Sequence, residues 1–230
     1  MDNILDRFGL YDFFGLLIPG MSFWIMLFYM KFPMVDDGLL PLSQTFKVIA
    51  FILLSYVVGS LMQETASWFD NKCKKMKIRI KTRENYLNTN PLFKGEELKA
   101  VRELANKLLG NEDIEDKKHS FSDEESYRLF NICKSHLENN NKMEKADKLD
   151  AIFAMSRDFI VCNIWIFCCL IITIIYTAVE KSFSWSLSYT VIIVYTFVSS
   201  YIFYRRAKRY AKMRTRTIIR QYMDLKRNEI

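Results

Sequence analysis

Four apolar blocks, set apart by short loops or long charged stretches, limit what this chain can fold into more than any other feature. They span about 13–32, 46–63, 159–179 and 187–204, and the charges inside them are Lys31 and Lys47, both near block ends. A hydrocarbon core about 30 Å thick is crossed by roughly 20 apolar residues in a helix. Inside it, every backbone polar group has to be bonded within the structure, which favours helices. A soluble core has no need of uniformly apolar runs of that length. The expected fold class is therefore all-α: an integral membrane protein with four transmembrane helices and a helical cytoplasmic insert between helices 2 and 3. The chain then divides into a transmembrane hairpin (1–65), a cytoplasmic helical domain (66–156), a second hairpin (157–204) and a basic cytoplasmic helical tail (205–230).

The leader "MDNILDR" carries two aspartates against one arginine. A secretory signal opens on a positive region and ends at a small-residue cleavage site, so the first block reads as a retained span. Orientation follows from Lys and Arg. The hairpin loops, 33–45 and 180–186, hold one basic residue, Lys181, whereas "NKCKKMKIRIKTR" follows the second block and "RRAKRYAKMRTRTIIR" the fourth. Both basic runs belong in the cytoplasm, which places both termini inside. Lys74, Lys75, Lys77, Arg79, Arg205, Arg206, Lys208 and Arg209 are the expected contacts to lipid or to a partner. A cytoplasmic protein or a small phosphorylated ligand fits such a basic surface. A tail abutting a span favours the lipid bilayer over either, and disfavours nucleic acid.

The residues that carry catalysis in other proteins are thin here. His119 and His136 are isolated, and there is no G-x-S-x-G, H-E-x-x-H or Walker A pattern. Seven glycines offer little for a nucleotide cradle. The five cysteines, Cys73, Cys133, Cys162, Cys168 and Cys169, include no C-x-x-C and no Cys/His group at metal-ligand spacing. The acidic run Glu112, Asp113, Glu115 and Asp116 lacks the spaced ligands and turn glycine of a calcium loop. The chain reads as a non-enzyme with no cofactor and no metal.

Within the insert, Leu98, Val101, Ala105 and Leu108 form an apolar stripe on a helix of about 95–109, closed by Gly110. Ser122 and Glu125 match a capping box, opening a helix expected to bury Tyr127, Phe130, Cys133 and Leu137. A third helix is expected to run unbroken from Met143 to Val179. About ninety residues are near the lower limit for an independent core, so self-association into a homo-oligomer would help.

The spans lack acids or bases at mid-depth, where coupled transporters keep them. That leaves room for a pore assembled from several subunits, lined by Ser60, Thr173, Thr177, Thr196, Ser199 and Ser200, although such hydroxyls serve more commonly in helix packing. Inside the first block, "LIPGMSF" sets Pro19 and Gly20 in a segment otherwise built for lipid. Proline removes a backbone donor and kinks a helix. The pair is expected to be a hinge packed against Ser55 or Gly59, a small-x-x-x-small element of the second span.

"YDFFGLLIPGMSFW", then "SYVVGSLMQ", a basic helical insert and "FAMSRDF" before the third span together resemble small four-span bacterial proteins. Those carry Pro-Gly in the first helix and a G-x-x-x-Q/H-like element in the second. Some occur among anti-phage defence genes as membrane sensors or membrane-damaging effectors. The matching residues are Pro19, Gly20, Gly59, Gln63, Met155 and Arg157, and the resemblance covers the arrangement of the whole chain. It implies a multi-pass protein of the bacterial inner (plasma) membrane and a sensor or effector role through oligomeric span rearrangement or permeabilisation, and supplies no catalytic residue. The alternative function is a membrane anchor or scaffold for a cytoplasmic partner enzyme.

Overall fold

A computed structural model of the chain describes residues 13–30, 32, 43–75, 86–87, 92–110, 121–180 and 187–228. Among these residues the structure is all-helical. A π-helical turn, Phe13–Leu17, leads into α1 (Ile18–Tyr29). Then come α2 (Gln44–Lys75), α3 (Glu96–Leu109), α4 (Asp123–Asn139), α5 (Glu144–Val179) and α6 (Leu187–Asn228). Three of them, α2, α5 and α6, are long and apolar enough to cross a membrane, and Gly15–Tyr29 is a shorter apolar helix. The protein is thus a membrane protein by the length and composition of its helices.

The chain separates into two compact units, residues 1–78 with 151–207, and residues 79–150 with 208–230. Helices α5 and α6 each contribute to both.

In the first unit the core is made by Phe23, Leu27, Met62, Ala66, Cys162, Ile166, Leu170 and Ile192. Phe23 meets the Trp165 ring edge-on at 5.9 Å, and Phe159 stacks on Phe203 at 4.3 Å. Much of the outer surface of α2 and α6 is apolar and exposed, including Leu53, Val57, Leu61, Val194 and Phe197. In water such a surface would be costly; in lipid it is the expected one.

The second unit has capped helices around a buried core of its own. The Ser122 hydroxyl accepts from the Glu125 amide at 3.1 Å, and the Glu125 carboxylate accepts from the Ser122 amide at 2.7 Å, which completes the capping box. At the other end of α3, Gly110 takes the left-handed conformation (φ +76°) and its N–H reaches the Asn106 carbonyl, the usual helix stop. Phe130, Cys133 and Leu137 are fully buried on α4. Tyr127 is not: it is 43% exposed, and Ser126 and Leu129 take the inward positions. The buried face of α4 runs through 126, 129, 130, 133 and 137, about one helical stripe wide, and 127 falls just off its edge with a hydroxyl that water can satisfy.

That core also takes in residues from the far end of the chain. Ile218, Ile219 and Tyr222 of α6 are buried beside Tyr86, Phe93, Phe130 and Leu137. Tyr86 donates its hydroxyl to the Ser126 carbonyl at 3.0 Å. Burial of the ring raises the Tyr86 pKa and keeps that proton in place. Helix α6 thus supplies one wall of this core.

Candidate functional site

The site begins with Pro19, which has no N–H to offer the preceding turn. A π-helical turn ends two residues before it, at Leu17, and its i→i+5 bonding shifts the ladder by one residue. This is a way of passing a missing donor inside lipid, where the freed carbonyls need partners. Ser22 adds a bond from its hydroxyl back to the Ile18 carbonyl at 2.9 Å.

One residue on, α1 meets α2 backbone to backbone. A methyl group placed on Gly20 would fall 2.7 Å from the Ser55 carbonyl carbon and 3.1 Å from the Gly59 nitrogen. One placed on Gly59 would fall 2.6 Å from the Leu16 carbonyl carbon and 3.0 Å from its Cα. The obstacles are main-chain atoms, so no rotamer change relieves them. The third element is α5: the Cys162 thiol points at the Pro19 carbonyl, Sγ to oxygen 3.5 Å. Pro19, Gly20, Ser55 and Gly59 therefore form one three-helix crossing with Leu16 and Cys162. The Ser55 hydroxyl lies buried in it with no hydrogen-bond partner among the described residues.

The hydroxyls considered for a pore lining sit differently. Ser60 donates to the Tyr56 carbonyl (2.9 Å), Thr173 to Cys169 (2.9 Å), Thr177 to Thr173 (3.0 Å) and Thr196 to Ile193 (2.8 Å). Each is spent on its own helix, three or four residues back. Ser199 is buried and Ser200 half-buried.

The basic residues divide in a way that sequence does not reveal. Lys77 and Arg79 lie outside the described residues, as do the side chains of Lys74 and Lys75 at the end of α2. Arg205, Lys208 and Arg209 are exposed, and Arg206 is half-buried. Further along α6, Arg214 is buried and pairs with Asp150 at 2.5 Å. Arg216 meets the Glu97 carboxylate at 2.9 Å, and Arg220 holds its other oxygen. The Arg220 hydrogen bond, with Arg216 behind it, keeps the Glu97 pKa below the usual carboxylate value. Near the start of the apolar part of α5, Asp158 is fully buried and accepts from Arg157 Nε at 3.2 Å.

His136 packs edge-on against the Tyr222 ring at 5.1 Å, while His119 and the acidic run 112–116 lie outside the described residues. Burial pushes the Cys133 thiol up to about 12, so it stays protonated and unreactive. Among the described residues no group of three His, Cys, Asp or Glu side chains is placed to hold a metal ion.

The paired arginines of α6 were missed by sequence reasoning. The signal present was the apolar spacing Ile218, Tyr222 and Leu225, which marks a helix with a core face and not a free tail. Comparison of the chain with protein-family models, with characterised proteins and with solved structures finds no match.

Proposed function

We propose that the chain is a four-span protein of a bacterial inner membrane, with both termini and the insert cytoplasmic, that works without enzymatic chemistry as a sensor and effector. An event at the charged unit alters the packing of the spans within a homo-oligomer, and the altered packing compromises the membrane barrier as a defence or stress response. The observation that carries this reading is the continuity of α5 and α6. Each is a single helix that supplies residues to both compact units, with no loop between the two parts. The resemblance to defence-associated four-span proteins supports the same reading. The first span is the segment from the π-helical turn through α1, eighteen residues counting Met30, or about 27 Å at 1.5 Å per residue.

The crossing at Pro19 and Gly20 is the element on which such a shift would act, since it is held by close approach and not by large side chains. Pro19→Ala restores a donor without adding bulk against α2, so it is the substitution that separates hinge from packing. In cells expressing the protein, membrane potential is followed with a voltage-sensitive dye. Depolarisation by the wild type and its loss in Pro19→Ala, at equal membrane abundance, is the expected result. Potential unchanged by the wild type under every trigger tried, with a cytoplasmic enzyme co-purifying, would replace this reading by the second one, an anchor or scaffold. Support for that second reading comes from the hydroxyls of Ser60, Thr173, Thr177 and Thr196, which donate to carbonyls of their own helices.

A further inference from the structure

Seven of the ten basic residues of α6 fall into two sets with different fates. Arg214, Arg216 and Arg220 are claimed by Asp150 and Glu97. Arg205, Lys208, Arg209 and Lys212 are exposed, and among the described residues none of the four has a carboxylate partner. Positions 205, 208, 209 and 212 recur at three- and four-residue spacing, which puts them on one face of the helix. Arg205 also lies over the Tyr201 ring at 5.8 Å, and Arg209 over the Tyr210 ring at 5.7 Å.

The same face continues toward the start of the helix without a break in spacing. Leu187, Val191, Val194, Val198 and Tyr201 stand at alternating steps of four and three before Arg205, and all are exposed. From Leu187 to Tyr204 the helix covers about 27 Å at 1.5 Å per residue, close to the ~30 Å of a hydrocarbon core. Aromatic rings come next, then free cations. Acyl chains, the interfacial zone and anionic headgroups would meet this order in turn. The companion helix of the first unit repeats it: α2 leaves its apolar run at Trp68, with Lys72 Nζ 4.1 Å from the ring centroid.

We propose that the face of α6 carrying Arg205, Lys208, Arg209 and Lys212 binds the phosphate headgroups of anionic phospholipids, and so selects an anionic lipid shell. This rests on the membrane reading above. The occupant is lipid and not a second copy, because two copies in one bilayer lie parallel and this face would set four cations against four. Exposure also extends to positions 195, 197, 202 and 204, wider than a helix–helix seam needs and suited to a lipid shell.

The test is lipid selectivity of the full chain reconstituted in phosphatidylcholine vesicles, read by spin-label EPR with spin-labelled phosphatidylglycerol against spin-labelled phosphatidylcholine. The wild type should prefer phosphatidylglycerol severalfold. The combined Arg205→Gln, Lys208→Gln, Arg209→Gln and Lys212→Gln variant should bind the two lipids nearly equally. A control variant with the same loss of charge, Lys99→Gln, Lys107→Gln, Lys142→Gln and Lys145→Gln, should keep the preference. No preference in the wild type, or equal loss in both variants, overturns the proposal. A preference abolished by millimolar inorganic phosphate would also overturn it, since the face would then be a soluble-anion site. Resistance of the wild type and both variants to alkaline carbonate extraction is scored separately. Extraction of the wild type would defeat the membrane reading itself, whereas retention without selectivity defeats only the lipid site.

Discussion

Where α1 crosses α2, Gly20 and Gly59 bring main chains together with no side chain between them; in the second unit, Tyr86, Phe93 and Phe130 hold helices apart by filling the space with rings. The two arrangements are the ones that two different solvents favour. In lipid an apolar side chain gains nothing by leaving its surroundings for a neighbouring helix, so close van der Waals approach through small residues is what holds a crossing. In water the same burial is the main driving force. Polar groups follow the same division. In the first unit Ser60, Thr173 and Thr177 turn their hydroxyls back on their own helices, while in the second Arg214 and Arg216 pair with carboxylates of other helices.

The largest effect that would break this contrast lies in the ring-filled core. Phe130 is fully buried, and deleting such a side chain costs about 3–5 kcal/mol. Phe130→Ala should raise hydrogen exchange throughout α3 and α4 by several orders of magnitude and leave the centre of α2 unchanged. An equal rise in α2 would mean that one core, not two, sustains the protein.

At the crossing the sign of the size change reverses. Adding a methyl group at Gly59 meets Leu16 main-chain atoms at 2.6 and 3.0 Å, and overpacking costs about 1–3 kcal/mol. Gly59→Ala and Gly20→Ala should each destabilise the α1–α2 pair in a denaturing-detergent titration. The double variant should cost less than the sum, because helices already forced apart accept the second methyl group cheaply. Full additivity would show that the two glycines do not share one contact.

Much of the second unit was legible because its signals are local. The Ser122–Glu125 capping box, the Gly110 stop and the unbroken run from Met143 needed only the spacing of a few residues. The wall supplied by Ile218, Ile219 and Tyr222 was not legible as such. Those residues are separated from Phe130 by some ninety positions, and the arginines around them gave the segment the look of a solvated tail. Pairing with Asp150 and Glu97 compensates those charges, and composition cannot show which charges are paired. The crossing is intermediate: the small residues could be read off, but the π-helical turn and the Cys162 thiol at Pro19 depend on three helices meeting.

Capping offers a smaller and purely local probe. Ser122→Ala removes one of the two capping-box bonds, at a cost of about 1 kcal/mol. Faster exchange should be confined to the first turn of α4, which would keep the core effect of Phe130→Ala distinct from a helix-end effect.

The smallest expected effect tests whether the inter-helix charges are features of a watery unit. Arg220 and Arg216 lower the Glu97 pKa, so the carboxylate favours the folded state. That contribution is present above the ordinary value of 4.5 and is lost as pH falls through the lowered folded value. Both arginines are nearly half exposed, and salt weakens such pairs, so the whole interaction amounts to about 0.5 kcal/mol. Glu97→Gln should therefore loosen α3 against the end of α6 slightly at pH 7 and hardly at all at pH 3. The two proteins would converge as acid is added. The difference should shrink at pH 7 when salt is raised from 0.05 to about 1 M, where the screening length falls to about 3 Å. A difference indifferent to both would place Glu97 in a dry environment, and the contrast between the units would fail at that point.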